Sequence, residues 1–230
     1  MNLLAFDTCL GAVSAAVCRV DAAGVHVLAE AYEARTTGHA ERLMPMVDET
    51  VARSGIALGR IDRLAVSLGP GSFTGVRIGV AAARALALAT GMPAVGVTSL
   101  AAMAHEARQV LGDKAKERLL AVAVDARGMT YVQLFEDDGA TSAPMLLAPA
   151  EAAAMIGTRR SCIVGSAAVA VADAVAGAQA EAALVDLQPH ARAVAALAVG
   201  LAPTHPLRPL YLRRPDAKLQ SDKSLPRVAS

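Results

Sequence analysis

Residues 69–79, Gly69-Pro70-Gly71-Ser72-Phe73-Thr74-Gly75-Val76-Arg77-Ile78-Gly79, constrain this chain more than any other stretch. The apolar run Leu64-Ala65-Val66-Ser67-Leu68 precedes them and reads as a strand. A long alanine-rich pattern follows, closed by Gly91 and Pro93, and reads as a helix over 75–90. A glycine-rich turn from strand into helix demands an α/β architecture, and it is the usual place for a phosphate. What this loop holds therefore decides what chemistry the chain performs.

The loop fails each phosphate template at a named residue. A P-loop needs a lysine that reaches the β/γ-phosphates, yet the first lysine of the chain is Lys114. A dinucleotide fingerprint needs a third glycine where Thr74 stands. A nucleophile elbow needs glycines two residues either side of Ser72, where Pro70 and Thr74 stand instead. Two readings remain. Free amides at the helix start can bind an anion, making Asp7, Gly71, Ser72 and Thr74 a candidate weak nucleotide or anion site. Alternatively the loop is a packing turn: Gly75, Gly79, Ala83 and Ala87 recur every four residues and leave one helix face nearly bare. Packing is the favoured reading, because no cationic side chain is committed to the loop.

Composition narrows the partners. Lys+Arg is 22 against Asp+Glu 21, so no general basic field holds a nucleic-acid backbone unaided. With no Trp, three Tyr and three Phe, base-stacking platforms are scarce. The 54% of hydrophobic residues, with alanine the commonest, indicates a folded core. The longest nearly apolar run, 162–172, falls short of the roughly 20 residues of a membrane span, so no membrane association is expected. The start, Met1-Asn2-Leu3-Leu4-Ala5-Phe6-Asp7, lacks the basic region of a signal peptide. Cys9, Cys18 and Cys162 share no metal or disulfide spacing, which fits a reduced, cytoplasmic setting.

Along the chain, strands are expected at 3–7, 12–20 and 25–32, then a helix over 38–51 with Leu43, Val47 and Val51 on one face and Pro45 in its first turn or at a kink. A strand at 63–68, the loop and its helix, a strand at 94–97 and a helix at 99–111 complete a βββαβαβα order. A shortened version follows: strands at 119–126, 130–135 and 145–147, a helix at 149–156, a strand at 162–165, and helices at 167–176 and 191–201. This doubling argues for two α/β lobes. The expected division is 1–105 for the first lobe, 106–189 for a smaller second one and 190–214 for a helix and strand-like segment returning to the first. Residues 215–230 form an expected disordered tail.

His26, His39, His105, His190 and His205 have no metal-binding spacing, and His39 lies nearest a candidate functional surface. Asp7, at the end of the first strand, stands where an acid can hold a metal–nucleotide, but the following turn, Cys9-Leu10-Gly11-Ala12, has a single glycine to wrap phosphate. Arg77 and Arg84 share a stripe with Val80 and either pair with acids of a neighbour or stay solvated.

Phe6-Asp7-Thr8, the run 39–45 (His-Ala-Glu-Arg-Leu-Met-Pro), the loop 69–79, Gly96-Val97-Thr98-Ser99-Leu100 and Pro209-Leu210-Tyr211-Leu212-Arg213 resemble the TsaB (YeaZ) family. The resemblance is strongest over 1–105. It implies an actin-like/Hsp70-like (ASKHA) fold of two lobes, each built on a βββαβα-type unit, the second reduced. It implies a role in forming N6-threonylcarbamoyladenosine at position 37 of tRNAs reading codons that begin with A. In that family catalysis belongs to the paralogue TsaD, which carries a two-histidine metal motif; Ser99 and Met103 stand here at those places. The implied role is a non-catalytic scaffold that docks TsaD, with the ATPase TsaE in the complex, ATP and metal bound by those partners, and tRNA reached only through the complex. Docking, or self-pairing as a homodimer, would use an apolar patch of Met44, Met46, Val47, Val80 and Ala81 flanked by Arg77 and Arg84. The alternative is an enzyme of the same fold, a nucleotide-dependent carbamoyl transferase or a glycoprotease-like peptidase.

Overall fold

The computed structural model describes residues 1–213 other than 117, 138 and 178; the expected tail at 215–230 lies outside the described residues. Strands β1 (Asn2–Asp7), β2 (Ala12–Asp21) and β3 (Gly24–Ala34) form an antiparallel meander. Strand β4 (Arg63–Ser67) joins β1 in parallel, and β5 (Ala94–Val97) joins β4, giving the order β3-β2-β1-β4-β5. Helices α1 (His39–Ser54), α2 (Phe73–Thr90) and α3 (Ser99–Leu111) connect them.

The central strand is buried on both faces, and the alternation of its side chains divides the core. Leu4 and Phe6 pack with Leu43, Met46 and Val47 of α1 and Val76 and Val80 of α2. Leu3 and Ala5 face the other way, onto Ala191, Val194, Ala195 and Ala198 of α6 (Ala191–Ala198). Small side chains on α6 let it lie close against the sheet.

The second sheet repeats the device. It contains β6 (Leu119–Ala126), β7 (Met129–Glu136), β8 (Gly139–Ala140), β9 (Met145–Leu147), β10 (Ser161–Val164) and β11 (Ala180–Ala183), in the order β11-β10-β6-β7-β8 with β9 also on β7. Leu119, Ala121 and Ala123 face α4 (Pro149–Ile156) and α5 (Ala168–Ala174). Leu120, Val122 and Val124 face Leu100, Met103, Ala104 and Ala107 of α3. Helices α3 and α6 are thus the layer between the sheets, and the two lobes share it. This is the two-lobed actin-like α/β arrangement that the resemblance implies.

Some expectations differ from the structure. Pro45 sits in the second turn of α1, beyond the first, where Glu41 loses its usual i+4 donor. Helix α2 starts at Phe73, because Ser72 caps it by accepting the Gly75 amide at 3.0 Å. By length and composition α2 is apolar enough to cross a membrane; Arg77 and Arg84 break its apolar run, so a search for unbroken apolar stretches passes over it. In the fold its Val76, Val80 and Ala83 fill the first-lobe core. Strand β11 has the helix-favouring sequence Ala-Glu-Ala-Ala and was not expected; parallel pairing with β10 over four residue pairs overrides that propensity.

Arg192 of α6 fastens the shared layer. Its guanidinium donates to Glu30 Oε1 on β3 at 2.9 Å and to both carboxylate oxygens of Glu106 on α3. Glu106 is 4% exposed. Burial by itself would raise its pKa, but the Arg192 hydrogen bonds and charge outweigh burial and hold it below its ordinary value. Arg192→Met would strand a buried carboxylate. The expected loss is roughly 2–4 kcal/mol, read from denaturant midpoints near neutral pH; the loss should shrink as the pH falls far enough to protonate Glu106.

Candidate functional site

The glycine loop is filled by the chain's own backbone. The β1–β2 turn lies so close that a Cβ on Gly71 would collide with the Cys9 carbonyl, and one on Gly75 with the Thr8 carbonyl. Hydrogen bonds fix this approach. The Ser72 amide donates to Cys9 O at 2.8 Å, and Thr8 Oγ1 donates to Gly75 O at 2.7 Å. The amides of Gly75 and Val76 are taken by the side chain and carbonyl of Ser72. Behind the loop, the Ser99 amide donates to Gly69 O at 2.9 Å and its hydroxyl to Pro70 O. The bare stripe of α2 therefore serves packing within this chain, the reading its lack of a cation favoured.

Asp7 is fully buried at the end of β1 and accepts the Cys9 amide at 3.0 Å through Oδ1. Among the described residues its Oδ2 and the neighbouring Ser67 Oγ have no hydrogen-bond partner. Burial pushes the Asp7 carboxyl up to about 6, against the lowering pull of the Cys9 amide that it accepts and of nearby His39. His39, 8% exposed, contacts Leu10 O through Nε2 at 3.0 Å and so holds the same turn from α1. The four residues of the candidate anion site do not converge. Asp7 lies under the turn, whereas Gly71, Ser72 and Thr74 line a cleft of about 500 Å³ between the lobes. Its far wall is Val124–Arg127, Tyr131 and Ser166, and its rim includes Gln188 and 210–213.

The expected apolar patch is divided in the same way. Met46, Val47 and Val80 are at most 2% exposed and belong to the core, because they occupy the sheet-facing stripes of α1 and α2. As surface residues they are corrected. Met44, at 37%, and Ala81 remain exposed. Met44 lines a groove of about 410 Å³ between α1 and α2, with Val51, Ile56, Leu58 and Leu86. Periodicity placed Val51 on one face of α1 but missed Ile56, Leu58 and Leu86, since the groove is made by two helices and the turn after α1. Among the described residues Arg77 and Arg84 pair with no acid. Arg77 stacks over Phe73 at 3.6 Å and donates to the Tyr211 hydroxyl at 2.8 Å, while Arg84 donates to Leu207 O. Nothing in the local spacing foretold partners more than 120 residues away.

The family model of TsaD, tRNA N6-adenosine threonylcarbamoyltransferase, matches residues 26–188. TsaB of Haemophilus influenzae, described as a tRNA threonylcarbamoyladenosine biosynthesis protein, is 40% identical over 128 residues, 55% of this chain and 50% of that protein. An uncharacterized protein of Mycobacterium tuberculosis H37Rv is 34% identical over 94% of both chains. The solved structure of YeaZ from Pseudomonas aeruginosa superposes with a TM-score of 0.77 at 28% identity, covering 92% of this chain and 99% of that one.

This chain belongs to the TsaB/YeaZ family.

The match spans about half the length of the curated TsaB relatives, 50% and 56% for those of Haemophilus influenzae and Escherichia coli. Within this TsaB/YeaZ chain both positions that the resemblance aligned with the paralogue's metal histidines are interior. Ser99 and Met103 are 0% exposed, the first bonded to the glycine loop and the second packed in the core between α3 and the second sheet.

A folded-state pKa above the unfolded value means that Asp7 costs stability as pH rises. From the ordinary 3.8 to about 6 the unfolded chain ionises first, and above that the full cost remains. Asp7→Asn keeps the acceptor for Cys9 and removes the charge. Its stability advantage over the parent chain should grow from near zero at about pH 4 to roughly 2–3 kcal/mol above about pH 6.5. Denaturant titrations across that range measure it; parallel pH profiles for the two proteins would show that Asp7 ionises freely.

Proposed function

We propose that this chain is a non-catalytic subunit in the formation of N6-threonylcarbamoyladenosine at position 37 of tRNAs reading codons that begin with A. It acts in the cytoplasm as the docking partner of the catalytic TsaD, with TsaE as the ATPase of the complex. The relatives' names support the biosynthetic role, and one observation carries the non-catalytic part. The loop that would cradle phosphate is occupied by the backbone of Thr8 and Cys9, with Ser72 consuming the adjacent helix amides. ATP and metal are assigned to the partners, and tRNA is reached through them.

Docking is assigned to the α1–α2 groove. Met44 and Leu58 are each more than a third exposed there, and Asp48 sits among the lining residues. An adaptable Met at the mouth of an apolar groove suits a helix of a partner, or a second copy of the chain, in the same place. Self-association as a homodimer and TsaD binding would then compete.

The test uses purified chain with TsaD and TsaE. Met44→Arg places a charge in the groove without touching the core and should weaken TsaD binding at least about tenfold, the cost of a desolvated unpaired charge. Val169→Arg, on the exposed face of α5 in the second lobe, should leave binding unchanged. Equal binding by the Met44 variant would remove the groove from the interface. Threonylcarbamoylation of tRNA by this chain without TsaD would overturn the scaffold reading in favour of an enzyme.

A further inference from the structure

Residues 203–213 cross from one lobe to the other without forming a helix or strand. On the first lobe, the Thr204 amide donates to Ala94 O at 2.8 Å, and Thr204 Oγ1 accepts the Gly96 amide at 3.2 Å. Leu207, 3% exposed, enters the first-lobe core while Arg84 holds its carbonyl. The Leu210 amide donates to Leu68 O at 2.7 Å, at the foot of the glycine loop. Tyr211 packs on Phe73, ring centroids 5.2 Å apart, and receives the Arg77 hydrogen bond. Then the run changes lobe. Leu212 packs against the core of α3 and the second sheet, and Arg213 donates to Ala126 O at the end of β6 at 3.2 Å. Residues 210–213 form one rim of the interlobe cleft. Elsewhere on its lining, Gln188 Oε1 accepts the Gly11 amide at 2.8 Å.

We propose that 203–213 is a strap that holds the cleft at a fixed opening, and that Tyr211, seated between Arg77 and Phe73, is its latch. Among the described residues, the hydrogen bonds and packing given above for 204–210 are to the first lobe, and those given for Leu212 and Arg213 are to the second. The latch therefore sits where tension between the lobes is borne. It is also open to solvent, since Tyr211 is 42% exposed and Arg77 is exposed, whereas Leu207 anchors the run in the core. Release at Tyr211 frees the rim without pulling the buried anchor, so the cleft opens while both lobes stay folded. The inference is independent of TsaD docking, which uses a different face of α2.

Amide hydrogen exchange of the full chain alone, read residue by residue by NMR, tests it. In Tyr211→Ala the amides of Leu210 and Gly11 should exchange at least about tenfold faster than in the parent, while amides in the middle of α1 keep their rates. Arg213→Ala cuts the second-lobe end and leaves the latch seated. It should speed exchange at Gly11 and across 124–127 yet leave Leu210 protected. Unchanged exchange at Gly11 in both variants would overturn the strap, since its loss would then not reach the cleft. Unchanged Leu210 exchange in Tyr211→Ala would overturn the latch. Acceleration throughout α1 in Arg213→Ala would also overturn the proposal, because the contact would then be supporting the fold and not the opening.

Discussion

The approach of the β1–β2 turn to the glycine loop organises the first lobe. Thr8 and Cys9 reach Gly71 and Gly75 only because those positions lack a Cβ, and two hydrogen bonds, from the Ser72 amide to Cys9 O and from Thr8 Oγ1 to Gly75 O, lock the contact. The start of α2 then lies directly over β1 and β4, and the helix covers one face of the sheet. Ser99 carries the same constraint to α3 by bonding Gly69 and Pro70. Asp7 is sealed beneath this junction, which explains a buried carboxyl whose ionisation is disfavoured.

From there the second lobe follows, because α3 serves both sheets. Its Leu100 and Met103 close the second core, and Ala102 contributes to the first together with α6. A helix shared in this way resists sliding, and the Glu30–Arg192–Glu106 bridge fixes its neighbour α6. For the docking role proposed above, a first lobe braced in this way would present the α1–α2 groove in one shape, so that less order would have to be imposed on binding.

Much of the architecture was legible in the chain. The apolar runs at β1, β4, β5 and β6 and the glycines between them give the doubled strand–helix order, since alternation and turn residues are local properties. The loop's departure from each phosphate-binding template was legible too, residue by residue. Other features were not. The sequence of β11 favours a helix and is a strand through its pairing with β10. Met46, Val47 and Val80 looked suited to a surface patch, yet the stripe that faces the sheet is set by how α1 and α2 roll on it.

By itself the sequence determined the fold class and the family, together with the absence of a lysine or a third glycine from the loop, because these depend on residue identity and short spacing. Only the tertiary structure decided what occupies the loop and what Arg77 and Arg84 hold. Those partners, Thr8 and Cys9 on one side and Leu207 and Tyr211 on the other, lie more than 60 residues away along the chain. Contacts over such separations come from packing, and no local pattern encodes them.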